Sequence, residues 1–150
     1  LQIAGWLGKQ HRGYWKSVER KLKKAKLEKD YTFWGTIDRQ QKIEFFSSID
    51  LISVPTTYRE PKGLFALEAM AAGVPYLLPA HGAFPELHAR AQAGRLHAPE
   101  NVSDLASSLS EMLTNIQGTR QLADACRNYV RQYATPELEA DALIKAIAFD

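Results

Sequence analysis

The sequence predicts an α/β fold: a doubly wound parallel sheet with helices on both faces. Three observations lead there. Short apolar runs alternate with stretches whose apolar residues recur at helical spacing. The strand-like runs are continuously apolar, as in strands buried on both faces. Strand–helix–strand units in series close by right-handed crossovers into a sheet of the Rossmann-like kind.

The elements follow in order. Residues 1–4 read as a strand, stopped by Gly5-Trp6-Leu7-Gly8. A helix follows, with Tyr14/Trp15, Val18, Leu22 and Ala25 at helical spacing. Residues 31–34 form a second strand closed by Gly35, and Asp38 can cap a helix carrying Ile43, Phe46 and Ile49. Residues 51–54 form a third strand ended by Pro55. Residues 64–72 are a helix with Gly73 at the position after its end. Residues 76–78 are a strand stopped by Pro79, 84–91 a short helix and 94–97 a fifth strand. Three helices are expected to close the chain. They start near Ser103, after Gly118 and near Pro136, an apt first-turn residue.

Composition narrows the function classes. The chain has 150 residues, 45% hydrophobic and 24% charged, which suits one domain with an adequate core and excludes a disordered chain. The longest apolar stretch, 64–80, is broken by Glu68, Gly73, Pro75 and Pro79, so no span of about 20 apolar residues crosses a bilayer. A single cysteine, Cys126, excludes a disulfide framework and fits a reducing, cytoplasmic setting. No charged, apolar, small-residue leader pattern stands at residue 1, but the sequence starts at Leu1 rather than Met, so it is expected to be a piece of a longer protein and a leader upstream of it stays open. Residues 9–29 carry nine Lys/Arg against Glu19 and Glu28, a local net of +7 in a chain of net +2. Such a face is either solvated or meets an anionic membrane surface; nucleic acid is not the expected partner.

In open parallel sheets, ligands bind beyond the carboxyl ends of the strands. The loop after the third strand is the most informative of these. Pro61 pushes Glu60 out of helical geometry, so Glu60 stands in the loop. Gly63 permits close backbone approach, and the first N–H groups of the next helix, from Gly63 through Leu64 to Phe65, make a natural phosphate site. Glu68 lies a turn further on with its Cβ tilted back toward the helix start, where a carboxylate can accept from a vicinal diol such as a ribose. The competing reading is a surface Glu60, with Glu68 paired to Arg59 or Lys62.

Further residues favour the first reading. Leu1-Gln2-Ile3-Ala4-Gly5, Phe33-Trp34-Gly35-Thr36-Ile37, the run 44–50, the stretch from Glu60 to Gly73, Gly82-Ala83-Phe84-Pro85-Glu86-Leu87 and Gly94-Arg95-Leu96 occur in this order. Together, over about residues 1–116, they resemble the carboxyl-terminal, donor-binding domain of the retaining glycosyltransferases of two-domain GT-B architecture, the family called group 1. The most specific part is the pair of glutamates separated by seven residues, Glu60 and Glu68, followed by Ala69-Met70-Ala71-Ala72-Gly73-Val74-Pro75.

The resemblance implies roles. Glu60 matches the glutamate that lies against the donor sugar and assists the reacting centre. Glu68 matches the one that binds ribose hydroxyls. Gly63, Leu64 and Phe65 match the backbone that holds sugar and pyrophosphate, and Gly35, Thr36 and Ile37 the stretch that contacts the base. The implied chemistry is transfer of a sugar from a nucleotide sugar, such as a UDP- or GDP-sugar, to an acceptor with retained configuration, with no cofactor and no metal. The chain would be a single nucleotide-sugar-binding domain, with the amino-terminal acceptor domain and the first strand–helix unit lying outside it. The isolated chain is therefore expected to be inactive. Rivals within the fold are a nucleotide-sugar epimerase or a glycogen-synthase-like enzyme; the rival from another class is a non-catalytic module that meets anionic partners through the basic helix.

One departure from the family pattern is local: Pro61-Lys62 stands where Gly-Phe is usual, and Lys62 either adds a cation near the phosphates or points to solvent. His11, His81, His88 and His97 show no metal-ligand spacing. His81 follows the fourth strand, where a polar donor contact is open to it. Cys126 shares a helix stripe with Leu122 and Tyr129 and reads as core. Trp6 or Trp34 offers a ring for base stacking, with packing the preferred reading.

Overall fold

A computed structural model describes residues 1–148. It has the expected α/β character, and every strand pairing is parallel. The chain forms two compact units, Leu1–Ile49 and a second running on from Asp50.

The first unit contains β1 (Gln2–Ala4), a 3-10 turn (Lys9–His11), α1 (Arg12–Lys24), β2 (Thr32–Gly35) and α2 (Arg39–Ser47). β1 pairs with β2, Gln2 opposite Thr32 and Ile3 opposite Phe33. Trp15 of α1 packs on Phe33 at 4.7 Å between ring centroids and meets Tyr31 edge-on at 6.0 Å. The Trp34 indole donates to Gln2 Oε1 at 2.7 Å and stands edge-on to Phe45. Packing thus accounts for Trp15 and Trp34, whereas Trp6 is exposed. The Asp38 carboxylate accepts from the Gln41 N–H at 2.8 Å while the Gln41 side chain accepts from the Asp38 N–H at 3.0 Å. This reciprocal cap satisfies two donors that a helix start otherwise leaves open. Asp38 is therefore the cap that its residue type and position predict.

The second unit holds β3 (Ile52–Ser53), α3 (Leu64–Ala71), β4 (Tyr76–Pro79), α4 (Phe84–Ala91), β5 (Gly94–His97), α5 (Val102–Thr114), α6 (Ile116–Gln121), α7 (Ala123–Tyr133) and α8 (Pro136–Ile147). The strand order is β3-β4-β5. Central β4 is buried along its whole length, which explains its unbroken apolar run. α3 packs on β4 and α7, and α4 and α5 on β5. Met70, Leu77, Leu78, Phe84 and Cys126 are all fully buried among these elements. Each large apolar side chain so buried contributes about 1.5–3 kcal/mol. The Cys126 thiol points at the Ala93 carbonyl, and burial pushes its pKa up to about 12, so it is a core residue and no nucleophile.

α3 ends as its sequence predicts. The Gly73 N–H bonds the Met70 carbonyl and the Val74 N–H the Ala69 carbonyl, both at 2.9 Å. This pair of bonds is the Schellman arrangement. The closing region needs a correction. Four helices are present where three are expected, because Gly118 lies inside α6 instead of preceding a helix. The Asn115 side chain accepts from the Gly118 N–H at 3.2 Å and caps α6, so the helix begins before the glycine.

Candidate functional site

The loop between β3 and α3 shapes the site. Pro61 keeps Glu60 out of the helix, and the Glu60 carboxylate then folds back over the helix start. Its Oε1 accepts from the Gly63 N–H at 3.1 Å and the Lys62 N–H at 3.4 Å. Glu60 thus holds the backbone just ahead of α3, whose N-cap Gly63 takes no side-chain cap, and stands at the end where an anion is favoured by the macrodipole. Its carboxyl is held below the usual range first by the Gly63 N–H; partial burial opposes this, and the Lys62 N–H and Tyr58 hydroxyl add to it. Tyr58 is shifted the other way, upward, chiefly by its hydrogen bond to Glu60.

Gly63 has φ +72°, and a Cβ there would stand 2.7 Å from Cε1 of buried Phe84. Only glycine combines that left-handed backbone with so close an aromatic neighbour. Phe65 meets the same Phe84 ring edge-on at 5.9 Å. The first bonds of α3 run from the Ala66 and Leu67 N–H groups to the Gly63 carbonyl. With the Gly63 N–H taken by Glu60, the Leu64 and Phe65 N–H groups remain as the open donors. Glu68 is exposed on α3.

The turn after β4 supports this loop. Gly82 has φ +60° and lies against the Glu60 backbone. The Ala83 N–H donates to the Glu60 carbonyl at 2.9 Å. His81 Nε2 lies 3.0 Å from the Thr56 carbonyl, so this nitrogen carries the proton. His81 therefore serves the loop backbone.

The structure brings Glu60, Gly63, Leu64 and Phe65 together at one helix start, with Glu68 further along the same helix. Gly35, Thr36 and Ile37 belong to the first unit. There the Gly35 carbonyl accepts from the Gly5 N–H at 2.8 Å, and the turn leads to the Asp38 cap. Lys62 does not point freely to solvent: its ammonium pairs with Glu139 of α8 at 2.5 Å. Sequence reasoning missed this pair, Tyr58 and the support from Gly82. The first two leave no local signal, since each depends on contacts that motif spacing does not encode. Among the described residues no three His, Cys, Asp or Glu side chains gather as metal ligands.

A parallel α/β unit with a helix start beyond a strand's carboxyl end has the layout in which open α/β sheets bind their ligands. Comparison with known proteins makes this specific. The family model described as glycosyl transferases group 1 matches residues 1–133, and the chain belongs to that family. The family inferred from the paired glutamates and their surroundings is thus upheld. Over 82 residues the chain is 35% identical to a D-inositol 3-phosphate glycosyltransferase of Mycolicibacterium smegmatis, covering 55% of this chain and 19% of that protein. A sucrose-phosphate synthase structure from Thermosynechococcus elongatus superposes with TM-score 0.83 at 26% identity, covering 98% of this chain and 38% of that one. The Anabaena HepE structure in complex with UDP has TM-score 0.87 at 20% identity, over 98% of this chain and 40% of that one, and shares the fold. The chain spans about a fifth to a quarter of the length of the curated relatives it matches.

Proposed function

We propose that this chain is the donor-binding part of a retaining glycosyltransferase that takes a UDP- or GDP-sugar. The observation that carries the reading is the start of α3, where the Glu60 carboxylate bonds the Gly63 N–H just ahead of the helix and, among the described residues, the Leu64 and Phe65 N–H groups remain open. Those donors and the helix macrodipole suit the diphosphate of a nucleotide sugar. A carboxylate offers about four lone-pair sites, so Glu60 keeps capacity for a sugar hydroxyl beside Gly63, Lys62 and Tyr58. Glu68 would take the ribose hydroxyls, and Gly35, Thr36 and Ile37 the base.

During transfer the bond from the anomeric carbon to the diphosphate oxygen breaks, and a bond to the acceptor oxygen forms on the same face. Net, the acceptor exchanges its hydroxyl proton for the glycosyl group, and that proton passes to the departing diphosphate or to solvent. Charge grows on the departing diphosphate, where fixed N–H dipoles act most strongly in the transition state. The reading requires no metal or cofactor, and the acceptor would be bound by a second domain. A single buried cysteine, Cys126, suits the cytoplasm, where nucleotide sugars would be met.

The test is a screen of the full-length protein against UDP- and GDP-sugars. Release of nucleoside diphosphate, with a glycosylated product of unchanged anomeric configuration by NMR, supports the proposal. Binding without transfer to any acceptor, or an inverted product, counts against it.

A further inference from the structure

We propose that His81 is a positioning residue, holding the loop that carries Glu60 through its bond to the Thr56 carbonyl. This rests on the reading of Glu60 as the group against the donor sugar. Residues 55–63 contain no helix or strand, and most of their side chains are exposed. Thr56, Glu60 and Gly63 are the less exposed members of this stretch, and all three are held. The Thr56 carbonyl is held by His81 Nε2 at 3.0 Å. The Glu60 carbonyl is held by the Ala83 N–H at 2.9 Å. Gly63 is held by its N–H bond to Glu60 and by the Phe84 ring against its α-carbon. His81 and Ala83 come from the turn that follows β4, and Phe84 opens α4 directly after it.

His81 is itself well anchored. Its N–H donates to the Pro79 carbonyl at 2.8 Å, and its carbonyl accepts from Phe84 at 3.3 Å. The imidazole lies beside the Phe84 ring at 6.5 Å, tilted by 35°. Nδ1 is buried and makes no hydrogen bond, so the ring's polar work is done by Nε2 alone. The Thr56 hydroxyl is also buried without a partner, and among the described residues the Thr56 N–H bonds to the carbonyl of Val54, just ahead of this stretch. The bond to His81 is thus the tie from Thr56 to the β4 side. Without it, the first half of the loop loses its fixed point, and Glu60 is held from one end.

Hydrogen exchange in the full-length protein tests this without any ligand. In His81→Ala the Gly63 and Ala83 amides, both bonded to Glu60, should exchange about 3- to 10-fold faster, the effect of losing one hydrogen bond. The Leu77 and Leu78 amides of β4 should keep their rates. His81→Gln, whose amide N–H can reach the same carbonyl, should restore protection. Transfer turnover of His81→Ala should fall about 10-fold, with its affinity for UDP or GDP changed less than 2-fold. Unchanged exchange at Gly63 and Ala83 overturns the proposal. So does equal acceleration in β4, which would make His81 a general support of the core, or failure of the glutamine variant to restore protection. If the parent protein transfers no sugar, the proposed function fails while the exchange result still decides the role of His81.

Discussion

Gly82 stands directly against Glu60: a Cβ on Gly82 would lie 2.5 Å from the Glu60 carbonyl oxygen and 2.7 Å from its nitrogen. The contact is backbone to backbone, so no side-chain rotamer can relieve it. Gly82 also has φ +60°, in the left-handed region that costs a residue with a Cβ. Gly82→Ala should therefore destabilise the protein by about 1–3 kcal/mol and lower transfer at least about 10-fold by displacing Glu60. Thermal melting and turnover of the full-length variant check it. Parent-like values for both would show that the turn yields freely.

The two glutamates should fail differently. A hydrogen bond to a charged group contributes about 1.5–3 kcal/mol. Glu68→Ala should then weaken both free nucleoside diphosphate and nucleotide sugar by about 10- to 100-fold. Glu60→Gln should leave diphosphate affinity nearly unchanged and lose turnover instead. Calorimetry with diphosphate and donor, together with turnover, separates the two. Equal loss of diphosphate affinity in both variants would sink the division of roles.

The Glu60 carboxylate should respond to acid in a defined direction. Its folded pKa lies below the ordinary 4.5, chiefly because the Gly63 N–H bonds the ionised form. A lowered folded pKa means that its stabilising contribution is fully present above the unfolded value and is lost as pH falls through the folded value. The Gly63 amide shift, followed by NMR, should therefore hold constant at neutral pH and change with a midpoint below 4.5. A midpoint above that value would show that the carboxylate is not held by these donors.

The exposed face of α1 provides a fourth test. Arg12, Lys16, Arg20, Lys21, Lys23 and Lys24 are all exposed, and among the described residues none of them forms an ion pair. If this face is simply solvated, Lys16→Glu with Lys23→Glu should change stability by no more than about 0.5 kcal/mol per site and leave nucleotide affinity intact. Co-sedimentation with anionic vesicles at low salt, abolished by the double variant, would instead assign the face to a membrane surface.

Much of the fold was legible because its signals act over a few residues. Asp38 with Gln41 caps α2 through bonds spanning three residues, and Gly73 ends α3 through bonds spanning three to five. Phe84–Ala91 and Gly94–His97 have the bounds that their patterns indicate. α6 escaped because a glycine suggests a break, whereas the Asn115 side chain makes Gly118 part of a capped first turn.

The site divides along the same line. By itself the sequence determined that Glu60 leaves the helix, since Pro61 acts on its immediate neighbour, and that a helix start follows Gly63. It also carried the paired glutamates that mark the family. Only the tertiary structure decided where the Glu60 carboxylate points, which N–H groups stay open, and what holds the loop. Gly82 against Glu60 spans 22 residues, His81 to Thr56 25, and Lys62 to Glu139 77. At such separations no local propensity selects a partner. The contacts form because β3, α3, β4, α4 and α8 bring these residues together when the unit packs, and side-chain chemistry then settles which groups bond.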